Sequence, residues 1–140
     1  MRFVLDTDVI VAALRSPRGA SAALLRGIRR GQATMMLSTT LLLEYDAVCR
    51  REEHRVAAGL AMRDVETFLD GLAVLAEPVV VHFLWRPQLR DAGDEMVLET
   101  AVNGQAQAVV AFNHRDYGTA LKRFGIELLL PAQAFKRIET

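Results

Sequence analysis

Cysteine is almost absent from this chain, and its absence excludes two kinds of structure. Cys49 is the single cysteine among 140 residues, so an internal disulfide or a cluster of thiolate metal ligands cannot form. We expect Cys49 to be a small core residue. Apolar runs long enough to cross a bilayer are also missing from the sequence, which argues against a membrane protein.

The chain also has no net charge, because its 17 basic residues balance its 17 acidic ones. Any nucleic-acid binding must therefore use a local basic surface. Arg2, Asp6 and Asp8 interrupt the first apolar stretch, which does not match a secretory signal peptide, so we expect a cytoplasmic protein. With 51% hydrophobic and 24% charged residues, the composition is that of a globular protein, and the length suits one domain over residues 1–140.

Short apolar runs alternate along the chain with stretches of helical periodicity, without internal repeats or low-complexity segments. The predicted strands are 2–6, 34–37, 78–82, 108–112 and 127–130. The predicted helices begin after Asp6 and then cover 20–30, 39–51, 63–76, 94–103 and 132–138. This alternation indicates parallel strands joined by helical crossovers, that is, an α/β domain. We expect Gly31 and Gly104 at helix ends and Gly125 before the last strand.

Four acidic residues lie beside apolar runs at positions that packing alone does not explain. Asp6 ends the first predicted strand, Asp94 opens the helix that leads to the fourth strand, and Asp116 follows that strand. Glu44 lies inside the helix after the second strand, at the edge of its apolar face. Because sites in open parallel sheets form beyond the carboxyl ends of the strands, the fold can bring these four side chains together.

Each acid also has a purely structural explanation. Asp6 and Asp94 occupy positions where helix N-caps are expected, and a capping carboxylate needs no further role. Glu44 is an ordinary residue for the flank of a helix, and Asp116 can form a polar turn with Asn113. The functional interpretation therefore depends on the four acids meeting in space.

Four neighbouring carboxylates need a cation, because each close pair repels by about 4 kcal/mol at an effective dielectric of about 20. Oxygen-only ligands favour Mg²⁺ or Mn²⁺. Such a cation positions water for attack on phosphorus and stabilises the leaving oxygen. The four acids therefore predict a metal-dependent site for phosphodiester hydrolysis.

Four segments resemble the motifs of the PIN-domain ribonucleases, in the same order and at compatible spacing, so that the resemblance covers nearly the whole chain. The segments are Leu5-Asp6-Thr7-Asp8-Val9, Leu43-Glu44-Tyr45, residues 90–101 and residues 109–117. The first resembles the family's opening Leu-Asp-Thr-Asn-Val. The third resembles the family's segment for the third acid, in which an Asp lies seven residues before a helical Ala. That spacing selects Asp94 as the third acid, with Asp91 as second choice. The last resembles its strand followed by Thr-x-Asn-x-x-Asp-Phe.

The resemblance implies a three-layer α/β/α sandwich with a mostly parallel central sheet, acting as a divalent-metal-dependent endoribonuclease. The implied catalytic and metal-binding residues are Asp6, Glu44, Asp94 and Asp116, with Thr7, Asp8 and Asn113 in support. The family includes VapC-like toxins of bacterial and archaeal toxin–antitoxin pairs, which implies an antitoxin partner and a homodimer. Two positions depart from the motifs: Asp8 replaces the usual Asn, and Asn113-His114 replaces a frequent Gly-Asp.

Two basic clusters are candidates for contacts with RNA phosphates. Arg26, Arg29 and Arg30 share one helix face, and Arg50 and Arg51 precede a predicted loop. Solvated helix faces are the commoner explanation of such clusters. In a nuclease they would contribute affinity with little sequence choice. The three histidines are too dispersed to form a metal triad, and the apolar segment 83–87 is interpreted as a packing or oligomer contact.

Two other functions are compatible with parts of the sequence. A haloacid dehalogenase-type phosphatase also begins with an apolar run and Asp-x-Asp, and Ser38 or Thr39 after a strand resembles the start of its next motif. Its lysine must precede the last acids, however, and the only lysines, Lys122 and Lys136, follow them. A non-catalytic PIN-like module that binds RNA or protein is the second alternative, because Asn113-His114 makes the fourth ligand position a poor one.

Overall fold

The computed structural model describes residues 1–82, 89 and 91–139. Within them the strands are β1 (Arg2–Leu5), β2 (Thr34–Ser38), β3 (Glu77–Val79), β4 (Ala108–Val110) and β5 (Glu127–Leu129). The helices are α1 (Thr7–Arg15), α2 (Ala20–Arg29), α3 (Thr39–Cys49), α4 (Glu52–Ala58), α5 (Met62–Leu75), α6 (Ala92–Gly104) and α7 (Pro131–Ile138). Short 3₁₀ helices cover Arg115–Tyr117 and Lys122–Phe124. The apolar segment 83–87 lies outside the described residues.

The described strands form one parallel sheet in the order β3-β2-β1-β4-β5. β1 lies at the centre, where Phe3 pairs with Met35 of β2 on one side and with Ala108 of β4 on the other. Each of the four described strand pairs is parallel. This confirms the predicted α/β class.

Helices cover both faces of this sheet. Phe3, Val4 and Leu5 are consecutive in β1, and each has 0% exposure. Because successive side chains of a strand point to opposite faces, both faces must be covered. α6 packs against β1 and β2, whereas α2 packs against α1 and α7. The chain therefore forms the expected three-layer sandwich.

The strand order reverses beside β1, and this reversal creates the crevice that matters for function. The chain runs from β1 through β2 to β3 at one edge and then returns to β4 on the opposite side of β1. Ligands in open α/β sheets bind beyond the carboxyl ends of the strands at such a reversal. Asp6 directly follows β1, and Asp116 lies in the segment that follows β4.

One helix was not predicted, and one glycine has a further packing role. Residues 52–58 form α4 where a loop was expected, because acidic residues occupy its first turn and Gly59, with φ of 69°, ends it. Gly104 is the last residue of α6, which agrees with its predicted position at a helix end. A Cβ on Gly104 would overlap Met36 Cε and lie 2.9 Å from Val79 Cγ2. Its lack of a side chain thus allows α6 to approach β2 and β3.

The single cysteine is a core residue of the domain. Cys49 has 0% exposure, as predicted, and burial followed by the charge of Asp46 raises the pKa of its thiol to about 11. Across the described ranges, none of the helices combines the length and the apolar character needed to span a membrane.

Candidate functional site

Asp6 connects the end of β1 to the start of α1. Its backbone N–H donates to the Val110 carbonyl of β4 at 2.9 Å, which fixes this junction against the neighbouring strand. Its side chain caps α1, because Asp6 Oδ1 accepts a hydrogen bond from the Asp8 N–H at 3.2 Å. The capping explanation of Asp6 is therefore correct, but it involves one carboxylate oxygen only.

Tyr117 holds the second oxygen of Asp6, a contact that the sequence did not predict. Tyr117 Oη donates to Asp6 Oδ2 at 2.5 Å, and Tyr117 is 1% exposed. Burial raises the pKa of Asp6, and this hydrogen bond opposes the rise. Tyr45 supports the same junction, because its hydroxyl donates to the Leu5 carbonyl. A signal was present: the chain has two tyrosines, and each directly follows one of the four acids.

Asp8 faces the segment after β4 from the first turn of α1. Asp8 Oδ2 accepts a hydrogen bond from the Phe112 N–H at 3.1 Å. Asp8 Oδ1 is buried and has no hydrogen-bond partner among the described residues. Burial, followed by the charge of Asp6, raises the pKa of Asp8 to about 6. Asp8 is thus not the cap of α1. Thr7 is the first residue of that helix and is half-buried.

Asp91 caps α6, and the prediction that Asp94 occupies the capping position was wrong. Asp91 Oδ1 accepts hydrogen bonds from the N–H groups of Gly93 at 2.7 Å and Asp94 at 3.1 Å. The helix begins at Ala92, two residues earlier than expected. Asp94 lies in the first turn with its carboxylate outside this capping arrangement. The division of roles favours Asp94 over Asp91 as a ligand.

Glu44 reaches the same end of α6 from α3. A Cβ built on Gly93 would lie 3.2 Å from Glu44 Oε1 and 3.0 Å from Asp91 Oδ1. The Glu44 carboxylate therefore packs against the first turn of α6, which also carries Asp94. Glycine at position 93 leaves room for both neighbouring carboxylates.

Asp116 lies in the first 3₁₀ helix and is exposed. Asn113 Nδ2 donates to Asp116 Oδ2 at 2.8 Å, which is the polar turn that the structural explanation predicted. His114 Nε2 lies 2.9 Å from the Ala111 carbonyl oxygen, so the histidine side chain is directed at the backbone. Asn113 thus orients Asp116 at the edge of the crevice.

The acids share one electrostatic environment. Burial raises the pKa of Asp94 to about 7, and the charges of Asp6, Asp91, Asp116 and Asp8 add to this rise in that order. The charge of Asp116 also contributes to the raised pKa of Asp6. The fold therefore brings Asp6, Asp94 and Asp116 within electrostatic range of one another.

This set of oxygen donors fits a hard divalent cation such as Mg²⁺ or Mn²⁺. Asp8 Oδ1 is a buried carboxylate oxygen without a hydrogen bond from the described residues, and a cation would satisfy it. Burial and, after it, the negative charges of neighbouring acids raise the pKa of Asp94, and a bound cation would offset that charge. In the ranges 1–82 and 91–139, no three Asp, Glu, His or Cys side chains already form a metal-binding cluster. Cation binding would therefore draw the carboxylates closer together.

The arginines predicted to bind RNA lie on other parts of the surface. Arg26 and Arg29 line a groove between α1, α2 and α5. Arg50 is ion-paired with acids of α3 and α5 at 2.9 and 3.1 Å. Arg30 and Arg51 flank helix ends. A role of these five residues in RNA binding stays a prediction.

The surface of the described residues includes an acid cavity and an apolar groove. The acid cavity has a volume of about 610 Å³ and is lined by Asp91, Asp94, Asp116 and Tyr117 together with residues of the 3₁₀ region. The apolar groove between α1, α2 and α5 has a volume of about 920 Å³, and its walls include Leu25, Phe68 and Leu72. Of the four predicted carboxylates, Asp94 and Asp116 line the smaller cavity.

Comparison with known proteins gives a family and a fold. Residues 2–115 match the PIN domain family. The match spans the segments of Asp6, Glu44 and Asp94 and ends one residue before Asp116. It gives no support to the phosphatase alternative.

A chain of similar structure occurs in the crystal structure of VapBC2 from Rickettsia felis bound to a DNA fragment from their promoter. The TM-score is 0.63 at 16% sequence identity, and the match covers 91% of this chain and 97% of that chain. At this identity the similarity is one of fold. No curated protein matches the sequence.

Proposed function

This chain belongs to the PIN domain family, and we propose that it is a divalent-metal-dependent endoribonuclease that hydrolyses RNA phosphodiester bonds. PIN domains are in general nucleases, so the broad class of activity follows from the family. RNA as substrate and Mg²⁺ or Mn²⁺ as cofactor are proposed. The observation that carries the proposal is the convergence of carboxylates at the crevice, where Asp94 and Asp116 line one cavity. Burial, followed by the charges of Asp6 and other acids that include Asp116, raises the pKa of Asp94.

The proposed ligands are Asp6, Glu44, Asp94 and Asp116. A divalent cation bound there would supply Lewis-acid stabilisation of the phosphate and lower the pKa of a bound water. The chain itself holds the carboxylates in place: Tyr117 and the first turn of α1 fix Asp6, and Asn113 orients Asp116. Asp8 adds a further negative charge, and Thr7 adds a hydroxyl next to Asp6.

We further propose that the chain is the toxin of a toxin–antitoxin pair and works in the cytoplasm. The family and the similarity in fold to a chain of VapBC2 support this proposal. Its partners would be RNA, an antitoxin protein and a second copy of this chain. Growth arrest on expression, relieved by the product of an adjoining small reading frame, tests the toxin role. Light scattering after size-exclusion chromatography tests the homodimer.

Metal titration with RNA cleavage tests the active site. Purified chain is stripped with EDTA and titrated with Mn²⁺ or Mg²⁺ in the presence of labelled RNA. We expect Asp6→Asn and Asp94→Asn to reduce cation-dependent cleavage by about 100-fold or more, as loss of a major electrostatic group does. Asp70→Asn is the matched control, because Asp70 is an exposed acid that lines the apolar groove. Circular dichroism verifies that each variant is folded.

Unchanged cleavage in both Asp6→Asn and Asp94→Asn would overturn the assignment of the site. RNA binding without cleavage at any cation concentration would identify a non-catalytic binding module instead. Among the other ligands we expect Glu44→Gln to have a larger effect than Asp116→Asn. The Glu44 carboxylate packs against α6, whereas Asp116 is exposed.

A further inference from the structure

Two arginines line the acid cavity together with its carboxylates. Its walls include Arg115 and Arg123, which lie in the two 3₁₀ helices, together with Thr119 between them. Arg115 directly precedes Asp116 in the chain. One cavity is thus lined by both carboxylates and arginines.

These arginines are exposed and are not used by the fold. In the described part of the chain, neither side chain makes a hydrogen bond or an ion pair, although Asp94 and Asp116 line the same cavity. Other arginines of this protein do pair with acids, such as Arg137 with Glu127 at 2.8 Å. Neutralisation of nearby acids therefore does not account for Arg115 and Arg123.

A substrate with a phosphodiester backbone needs cationic groups beside a carboxylate cluster that would otherwise repel it. Arginine binds phosphate oxygens through its planar set of N–H donors. Tyr117, the aromatic residue in this wall, is buried and donates its hydroxyl to Asp6. It therefore offers no stacking surface to a base. The chemistry of the wall suits the backbone of a nucleic acid more than its bases.

We propose that Arg115 and Arg123 form a phosphate-binding pair that positions the RNA backbone across the acid cavity. The inference rests on the proposed nuclease function and adds the residues that orient its substrate. The pair contributes affinity and register with little choice of sequence. They are positioning residues, and the reacting groups remain the carboxylates and the cation they hold.

Binding of a labelled single-stranded RNA of mixed sequence, followed by fluorescence anisotropy at several salt concentrations, tests the pair. Measurements use the Asp94→Asn background so that the RNA stays intact. We expect Arg115→Gln with Arg123→Gln to bind several-fold more weakly. The slope of log affinity against log salt should fall by about 1.4, since each contact to a single strand contributes about 0.7. Arg115→Lys with Arg123→Lys should restore most of the slope because it keeps both charges.

Arg18→Gln with Arg63→Gln is the matched control, because it also removes two exposed arginines, and neither belongs to the acid cavity or to the predicted RNA-binding clusters. Affinity and salt slope should stay unchanged in this control. In the chain that retains Asp94, the Arg115/Arg123 double variant should raise KM several-fold and leave kcat nearly unchanged.

Three results would overturn the inference. If the Gln double variant keeps the affinity and the salt slope, the pair does not bind phosphate, although cleavage by the unmodified chain would leave the proposed function intact. If the Arg18/Arg63 control loses as much slope, the loss reflects the total charge of the chain and not a phosphate site in the acid cavity. If the unmodified chain neither binds nor cleaves RNA, the proposed function fails together with this inference.

Discussion

The apolar groove and the acid cavity differ in size, lining and origin. The groove is the larger, at about 920 Å³ against about 610 Å³, and it forms where apolar faces of α1, α2 and α5 meet incompletely. The acid cavity forms at the reversal of strand order, where side chains from distant segments converge. The larger cavity is therefore not the proposed active site. The carboxylates, and not the cavity volume, identify the proposed site.

The two regions also relate differently to stability. Leu72 lines the groove and is 4% exposed, so it stabilises the fold by burial of apolar surface. Asp94 in the acid cavity carries a charge that burial and its neighbours disfavour, which raises its pKa to about 7. Substitutions in the groove should therefore affect unfolding, and substitutions in the acid cavity should affect activity.

The largest expected effect on stability is that of Leu72→Ala. Loss of this buried side chain should lower the free energy of unfolding by about 2–4 kcal/mol, as similar truncations do. Cleavage per folded molecule should not change. Urea unfolding and cleavage at a temperature where the variant is folded provide the measurements. Val74→Ala is the control, because Val74 lines the same groove but is 88% exposed. A cleavage defect in folded Leu72→Ala would show that the two regions are coupled.

Tyr117→Phe should have the next largest effect, because it removes the hydrogen bond to Asp6 Oδ2. A bond to a buried carboxylate contributes about 1.5–3 kcal/mol. Since this bond opposes the rise in the pKa of Asp6, its loss raises that pKa further. The acid limb of the pH–cleavage profile should then move to higher pH.

Tyr45→Phe is the control for Tyr117→Phe. It removes a buried hydroxyl that donates to the Leu5 carbonyl, so it should lower stability without moving the pH profile. Equal pH profiles for the two variants would contradict the role assigned to Tyr117.

The stability of the metal-free chain should depend on pH. The pKa of Asp94 is raised from 3.8 to about 7 and that of Asp8 from 3.8 to about 6. The folded chain therefore binds more protons than the unfolded chain between these values. Its free energy of unfolding should fall as pH rises from about 4 to about 7. Solvent screening of these partly exposed groups limits the change to about 1 kcal/mol, or about 3 °C in Tm.

Thermal unfolding in EDTA at pH 5, 6, 7 and 8 measures this dependence. Asp94→Asn should flatten it, and Mn²⁺ should stabilise the unmodified chain most at pH 8, because a cation that binds the folded state shifts the equilibrium toward it. A metal-free stability that increases over this pH range would contradict the clustering of the acids.

The smallest expected effects are those of replacing one glycine by alanine in each region. Gly93→Ala would place a Cβ 3.2 Å from Glu44 Oε1, so cleavage should fall a few-fold while stability changes by less than about 0.5 kcal/mol. Gly71→Ala introduces a Cβ with no atom within 4 Å and should stabilise α5 by about 0.5–1 kcal/mol without changing cleavage. Similar cleavage by both variants would argue against a role for Glu44 at the site.

Much of the fold was predictable because its signals are local. The apolar run that precedes Asp6 is a strand, and the residues after it form a helix whose cap is Asp6 itself. α4 was missed because its seven residues bury no side chain and so leave no apolar periodicity to detect. The start of α6 was misplaced because Asp91 and Asp94 are both acceptable caps, and local sequence does not choose between them.

The order of strands, helices and acids was thus set by the sequence, since periodicity and capping act between residues close together in the chain. The partner of each carboxylate was decided by tertiary structure. Asp6 and Tyr117 are separated by 111 positions and meet only because β1 and β4 are neighbours. Glu44 and Asp94 likewise come from two helices that pack together. Burial and mutual repulsion raise the pKa values of these acids only after this packing. The acids could therefore be identified from the sequence, but the shifts in their pKa values could not.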